Sequence, residues 1–127
     1  MLKYGKRLFE IGGVILMYID FKNKAKTLIV ELSGELDHHS AEEVRVKIDD
    51  RIDRQLIEKV IFDFSSVSFM DSSGIGVIIG RYKRVSMRGG KVAIASVNPS
   101  IKRIFDLSGM FKIINVYPNV NEAVENL

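Results

Sequence analysis

The chain has 127 residues, 46% of them hydrophobic and 28% charged, with a formal charge of +3 and no cysteine. That is enough for one domain with one core. The lack of cysteine excludes a disulfide framework, a thiolate nucleophile and a cysteine-based zinc site, and fits a reducing cytoplasm. A charge this slight, with both signs mixed along the sequence, is not the basic stripe of a nucleic-acid binder.

Residues 1–16 are basic at first, through Lys3, Lys6 and Arg7 against Glu10, and the chain is then apolar across 11–19. The apolar run is shorter than the roughly twenty residues that span a bilayer. No small-residue cleavage site of a signal peptide follows. We expect this segment to lie outside the core fold. Gly12-Gly13 ahead of Met17 also fits a translation start at Met17, the glycines then being the translated remnant of a purine-rich ribosome-binding site. Amino-terminal mass analysis of the native protein checks this, with Met17 expected as the first residue.

Residues 17–23 alternate as a first strand, 22–26 supply a polar turn, and 27–33 form a β-branched second strand paired to the first as a hairpin. A polar loop is expected over 34–39. Ser40 then caps a helix, with Glu43 as its capping-box partner. Ala41, Val44, Ile48 and Ile52 make that helix's apolar stripe, while Glu42, Arg45, Lys47, Asp49 and Arg51 face water.

Residues 60–64, Val-Ile-Phe-Asp-Phe, read as a buried strand. The corner that follows holds Asp71, Ser72, Ser73 and Gly74, and then Ile75, Ile78, Ile79, Tyr82 and Val85 recur at helical spacing. Asp71, Ser72 or Ser73 can each cap this helix by accepting its free N–H groups. A serine is therefore presented at the positive end of a helix dipole, on a rigid strand–loop–helix corner.

Arg88-Gly89-Gly90 ends the helix, and 91–95 is another buried strand. Pro99 behind Asn98 opens a further helix, with Ile101, Ile104, Phe105 and Leu107 as its core face and Ser108-Gly109 as its stop. A last strand is predicted over 111–117 and a short helix over 119–127. The order β-β-α-β-α-β-α-β-α implies an α/β fold with a mixed, mostly parallel sheet flanked by helices. In such sheets the site lies outside the carboxyl ends of the strands. The loops at 35–39, 65–73 and 96–98 should meet there, placing Ser72 beside Asp37 and His38.

Other chemistries fit less well. A phosphorelay receiver would use Asp63, but the acid pair after the first strand and the lysine after the last are missing. A hydrolase built on Ser72, His38 and Asp37 lacks the G-x-S-x-G elbow. His38-His39 has no convergent metal ligands in the sequence. Gly74, Gly76 and Gly80 miss the G-x-G-x-x-G spacing by one residue.

Four motifs in register, 34–39 (Gly-Glu-Leu-Asp-His-His), 68–77 (Ser-Phe-Met-Asp-Ser-Ser-Gly-Ile-Gly-Val), 80–83 (Gly-Arg-Tyr-Lys) and 103–109 (Arg-Ile-Phe-Asp-Leu-Ser-Gly), resemble the anti-sigma factor antagonists, single STAS domains of bacteria. The resemblance runs from about residue 17 to the C-terminus and is strongest to the sporulation branch. Residues 1–16 have no counterpart, so the domain is placed at 17–127. The resemblance implies a STAS-type fold and a partner switch. The unphosphorylated antagonist binds an anti-sigma factor that is also a serine kinase, and so frees the sigma factor. The kinase phosphorylates the serine after the aspartate, here Ser72, with Ser73 as the alternative, and a PP2C-type phosphatase resets it. It further implies a cytoplasmic monomer that is not an enzyme, with no membrane and no nucleic-acid contact. ATP and magnesium belong to the kinase, and the domain has no cofactor of its own. Asp37, His38, Asp71, Ser73, Gly74, Gly76, Gly80 and Arg81 are its candidate partner contacts. A general stress circuit, or another signalling circuit, is the alternative setting.

Overall fold

Strands β3 (Thr27–Leu36) and β4 (Lys59–Met70) form the spine of the molecule. In β3, Leu28, Val30 and Leu32 alternate with Ile29 and Glu31; in β4, Val60, Phe62 and Phe64 alternate with Ile61 and Asp63. Each strand thus sends one row of side chains to each face of the sheet. The computed structural model describes residues 6–11 and 14–127, with side chains from residue 16 onward. Its sheet has six strands in sequential order: β1 (Lys6–Ile11), β2 (Val14–Lys24), β3, β4, β5 (Lys91–Ala95) and β6 (Asn115–Tyr117). The β1–β2 and β2–β3 pairs are antiparallel, and β3 to β6 run parallel. This is the mixed, mostly parallel sheet that the element order implied.

Helix α1 (Ala41–Gln55) joins β3 to β4, α2 (Ser72–Ser86) joins β4 to β5, and α3 (Pro99–Ser108) leads toward β6. Each crossover steps to the next strand in the same direction, so right-handed connections lay all three helices on one face. Val44, Ile48, Val77, Ile78, Ile101 and Phe105 bury there against the inner row of β3, β4 and β5. The last helix, α4 (Val120–Asn126), covers the other face, with Ala123 and Leu127 over Ile29, Ile61, Ala93 and Ala95. Among the described residues, no helix is long and apolar enough to cross a membrane.

Several expectations are corrected. Residues 1–16 were placed outside the fold, but β1 pairs with β2 from Lys6 opposite Ile19 to Ile11 opposite Val14, and so adds an edge strand to the sheet. Residues 1–5, 12 and 13 lie outside the described residues. β3 runs on to Leu36 and β4 to Met70, through stretches expected to be loops, because their parallel pairing resumes after a register shift, from Ser33–Ser66 to Leu36–Met70. The last strand is only Asn115–Tyr117, since Met110–Lys112 forms a 3-10 turn that buries Met110. Leu107, assigned to the core face of α3, is 83% exposed; Ile101 and Phe105 hold that face, with Ile104 half-buried against it. Ser40 does not form a capping box with Glu43, because its hydroxyl donates to the Glu35 carbonyl at 2.8 Å and accepts from the Asp37 N–H at 3.2 Å.

Candidate functional site

The ends of β3 and β4 lie side by side, Leu36 opposite Met70, and the backbone N–H of Asp71 donates to the Leu36 carbonyl at 3.4 Å. Asp71 is extended and caps α2. Its Oδ1 accepts from the Ser73 N–H at 2.8 Å, and its carbonyl accepts from the N–H groups of Gly74 at 3.1 Å and Ile75 at 3.3 Å. Of the three candidate caps, then, the aspartate does the capping. That leaves Ser72 as the first residue of the helix, exposed, with Ser73 behind it and half-buried.

Asp71 also reaches the neighbouring loop. Its Oδ2 accepts from the His38 N–H at 3.2 Å and lies 3.6 Å from the His38 Nδ1. Partial burial opposes the charged carboxylate, but the N–H groups of Ser73, His38 and Gly74 outweigh it and hold its pKa below the usual aspartate value. The loop itself is tied by Asp37, whose Oδ1 accepts from the N–H groups of His39 at 2.9 Å and Ser40 at 3.3 Å. Asp37 is 8% exposed and so serves its own loop first. Because its carboxylate is bound to backbone N–H groups, it does not orient His38 as the third member of a hydrolase would. Asp63 bonds locally too, accepting from the Ser65 N–H at 3.0 Å.

The three loops expected to converge do so. Asn98 caps α3 and donates from Nδ2 to the Val67 carbonyl at 3.0 Å, bringing the 96–98 loop against the end of β4. Ser40 and Asn98 hold this edge together, yet sequence alone showed them only as helix caps. Phe69, 50% exposed on the end of β4 and paired with Glu35, is a further surface feature of this edge that the apolar pattern could not distinguish from core.

The glycines of α2 divide into two kinds. A Cβ on Gly74 would collide with the Met70 side chain and stand 2.7 Å from the Leu36 carbonyl oxygen. Glycine is needed there for α2 to start so close to the sheet. Gly74→Ala is expected to cost about 1–3 kcal/mol through overpacking, read as a lower urea midpoint. At Gly76 and Gly80 a Cβ would meet nothing within 4 Å, so packing on the sheet does not explain them, and they leave a smooth face on the helix.

Arg81 is not an exposed contact. It is 7% exposed, and its Nε lies 2.9 Å from the Asp49 Oδ1 of α1. Asp49, expected to face water, sits instead between the helices, with its side chain 14% exposed. Tyr82 is half-buried against the core, as its place in the apolar stripe indicated, and Lys83 is exposed. Among the described residues, no group of three or more His, Asp or Glu side chains is placed to hold a metal ion.

A mixed, mostly parallel sheet with three helices on one face, and a capped, exposed serine where β4 gives way to α2, defines an α/β domain. The STAS domain model matches residues 18–123, and the chain belongs to that family. Within it the chain stands with the anti-sigma factor antagonists. It is 43% identical over 111 residues to an anti-sigma F factor antagonist of Paenibacillus polymyxa, covering 87% of this chain and 95% of that one. The unphosphorylated form of the anti-sigma factor antagonist SpoIIAA superposes with a TM-score of 0.75 at 30% identity, over 84% of this chain and 93% of that chain. The phosphorylated form of the Bacillus protein gives a TM-score of 0.69 at 30% identity, over 84% and 96%.

Proposed function

We propose that this chain is the switched component of a partner-switching circuit. Unphosphorylated, it binds an anti-sigma factor that is also a serine kinase, and so releases the sigma factor. The kinase, supplying ATP and magnesium, phosphorylates Ser72, and a PP2C-type phosphatase restores the hydroxyl. The circuit is the sporulation circuit that the sequence motifs imply. The observation that carries this reading is the exposed hydroxyl of Ser72 on the first turn of α2, beside the charged carboxylate of Asp71. The half-buried Ser73 is the poorer acceptor. Support also comes from SpoIIAA, which has been seen both with and without phosphate.

The docking face we assign is the open side of α2 at Gly76 and Gly80, together with the exposed His38 on the loop that Asp37 ties. Two glycines on a helix surface cost about 1 kcal/mol each against alanine. Since a Cβ at either would meet nothing, the fold gains nothing from their absence of side chain. Gly76→Ala is therefore expected to raise stability by about 1 kcal/mol while lowering affinity for the kinase; a stabilised variant with unchanged affinity removes this helix face from the interface.

The reading as a whole is tested by incubating the chain with ATP and an anti-sigma factor kinase, then mapping the label by peptide mass spectrometry. Label on Ser72, lost in Ser72→Ala, is expected. Label elsewhere, or none, overturns the switch.

A further inference from the structure

We propose that Asp71 occupies the anion-binding end of α2 itself, so that a phosphate on Ser72 is kept off the helix N-terminus and turned outward, where a docking partner meets it. This rests on the reading of Ser72 as phosphoacceptor and says how its phosphate is displayed.

The N-terminus of a long helix ordinarily draws phosphate in, through its free N–H groups and the positive end of its dipole. A phosphoserine in the first turn would fold back onto those donors and be partly neutralised. Here the donors behind Ser72 are engaged. The Ser73 N–H is bound by Asp71 Oδ1 at 2.8 Å, and the N–H groups of Gly74 and Ile75 are bound by the Asp71 carbonyl at 3.1 and 3.3 Å. Nor can the carboxylate swing aside freely, because its second oxygen takes the His38 N–H at 3.2 Å from the neighbouring loop. Held at both oxygens, it presents a fixed negative charge next to the position where the phosphate dianion would form.

Aspartate and asparagine are comparable helix caps. Asparagine would keep one acceptor oxygen for the Ser73 N–H but would give up the second, which takes the His38 N–H. Aspartate adds that second acceptor and a charge, and the charge serves to exclude the phosphate. An outward phosphate leaves the antagonist's backbone as it was and changes only what the partner encounters.

The groups that titrate around this corner are Asp71 itself, His38, whose Nδ1 lies 3.6 Å from Asp71 Oδ2, His39, whose ring centroid lies 3.8 Å from that of His38, and Asp37 at the start of the same loop. A charged His38 would attract the phosphate that Asp71 repels, so the test removes each in turn. Phosphoserine is installed biosynthetically at position 72 of the full chain, which needs no kinase, and its second ionisation is followed by phosphorus NMR with backbone amides followed in parallel. Asp71→Asn is expected to lower that ionisation by about half a pH unit, both in the native chain and in a His38→Gln background. The Ser73 amide should ignore the phosphate titration in the native chain and follow it in Asp71→Asn. Asp71→Ser, another neutral cap, should behave as Asp71→Asn does. An ionisation indifferent to Asp71→Asn, or a native Ser73 amide that tracks the phosphate, overturns the proposal. Failure of the kinase to label Ser72 would sink the functional reading instead, and would leave this measurement to stand or fall alone.

Discussion

Phosphate on Ser72 is expected to weaken binding of the anti-sigma factor kinase by about 2–5 kcal/mol, a loss of roughly 30- to 5,000-fold in affinity. The cost arises at the interface. Ser72 is exposed on the first turn of α2, so docking would cover it. A dianion carried into that covered space loses its water and finds Asp71 already negative beside it. Ser72→Ala removes the acceptor without adding bulk or charge, and should hold the kinase as tightly as the native hydroxyl. Ser72→Asp carries a single charge on a shorter stem, and should fall between the alanine and phosphoserine forms. Titration calorimetry on the three forms gives the order directly; equal affinities would contradict the mechanism. Backbone amide spectra should change only near 36–40 and 70–76, because the bonds that tie Asp71 to Ser73 and His38 do not involve the Ser72 hydroxyl.

The sequence showed most of the architecture and the position of the acceptor, for physical reasons. The near-continuous apolar runs in 27–32 and 60–64 are imposed by burial on both faces of a sheet, so those strands were visible. The helices announced themselves by caps and stripes, and Asp71 was among the candidates because short acidic side chains close first turns. What stayed hidden depended on partners distant in the chain. The stretch 65–69 looks like a polar loop, yet it is strand because β3 lies alongside it. Ser40 looks like a helix cap, but the Glu35 carbonyl captures its hydroxyl. Leu107 fits an apolar stripe and nevertheless faces outward, because Ile101 and Phe105 already fill the contact with the sheet. At Gly76 and Gly80 the residue type could not separate a close approach from an open face; the empty space around both did. Arg81 was the plainest misassignment. An arginine beside a motif suggests a surface contact, and only the packing of α1 against α2 reveals the aspartate that meets it.

That aspartate bears the second large effect. Asp49→Ala is expected to destabilise the fold by about 3 kcal/mol, at the lower end of what breaking a buried ion pair costs. The Asp49 carboxylate meets the Arg81 Nε at 2.9 Å, and the Arg45 Nη1 and Arg84 Nε each at 3.5 Å. Burial pushes the Arg81 guanidinium below its ordinary pKa even though Asp49 pulls it upward. Without Asp49, Arg81 would remain as an unpaired charge between two helices, with two further arginines facing it. Asp53, one turn on, pairs with Arg84 and Arg88 but is half-exposed, and Asp53→Ala should cost less than about 1 kcal/mol. The contrast between the two aspartates separates a buried pair from a surface one. Replacing both sides together, Asp49→Leu with Arg81→Met, should recover most of the loss, since apolar side chains of similar size need no partner. Urea unfolding of the three variants beside the native chain measures all of this. A double variant no better than Asp49→Ala would mean that the ion pair is not what joins the helices, and that the placement of Ser72 relative to the 37–40 loop must come from the sheet alone.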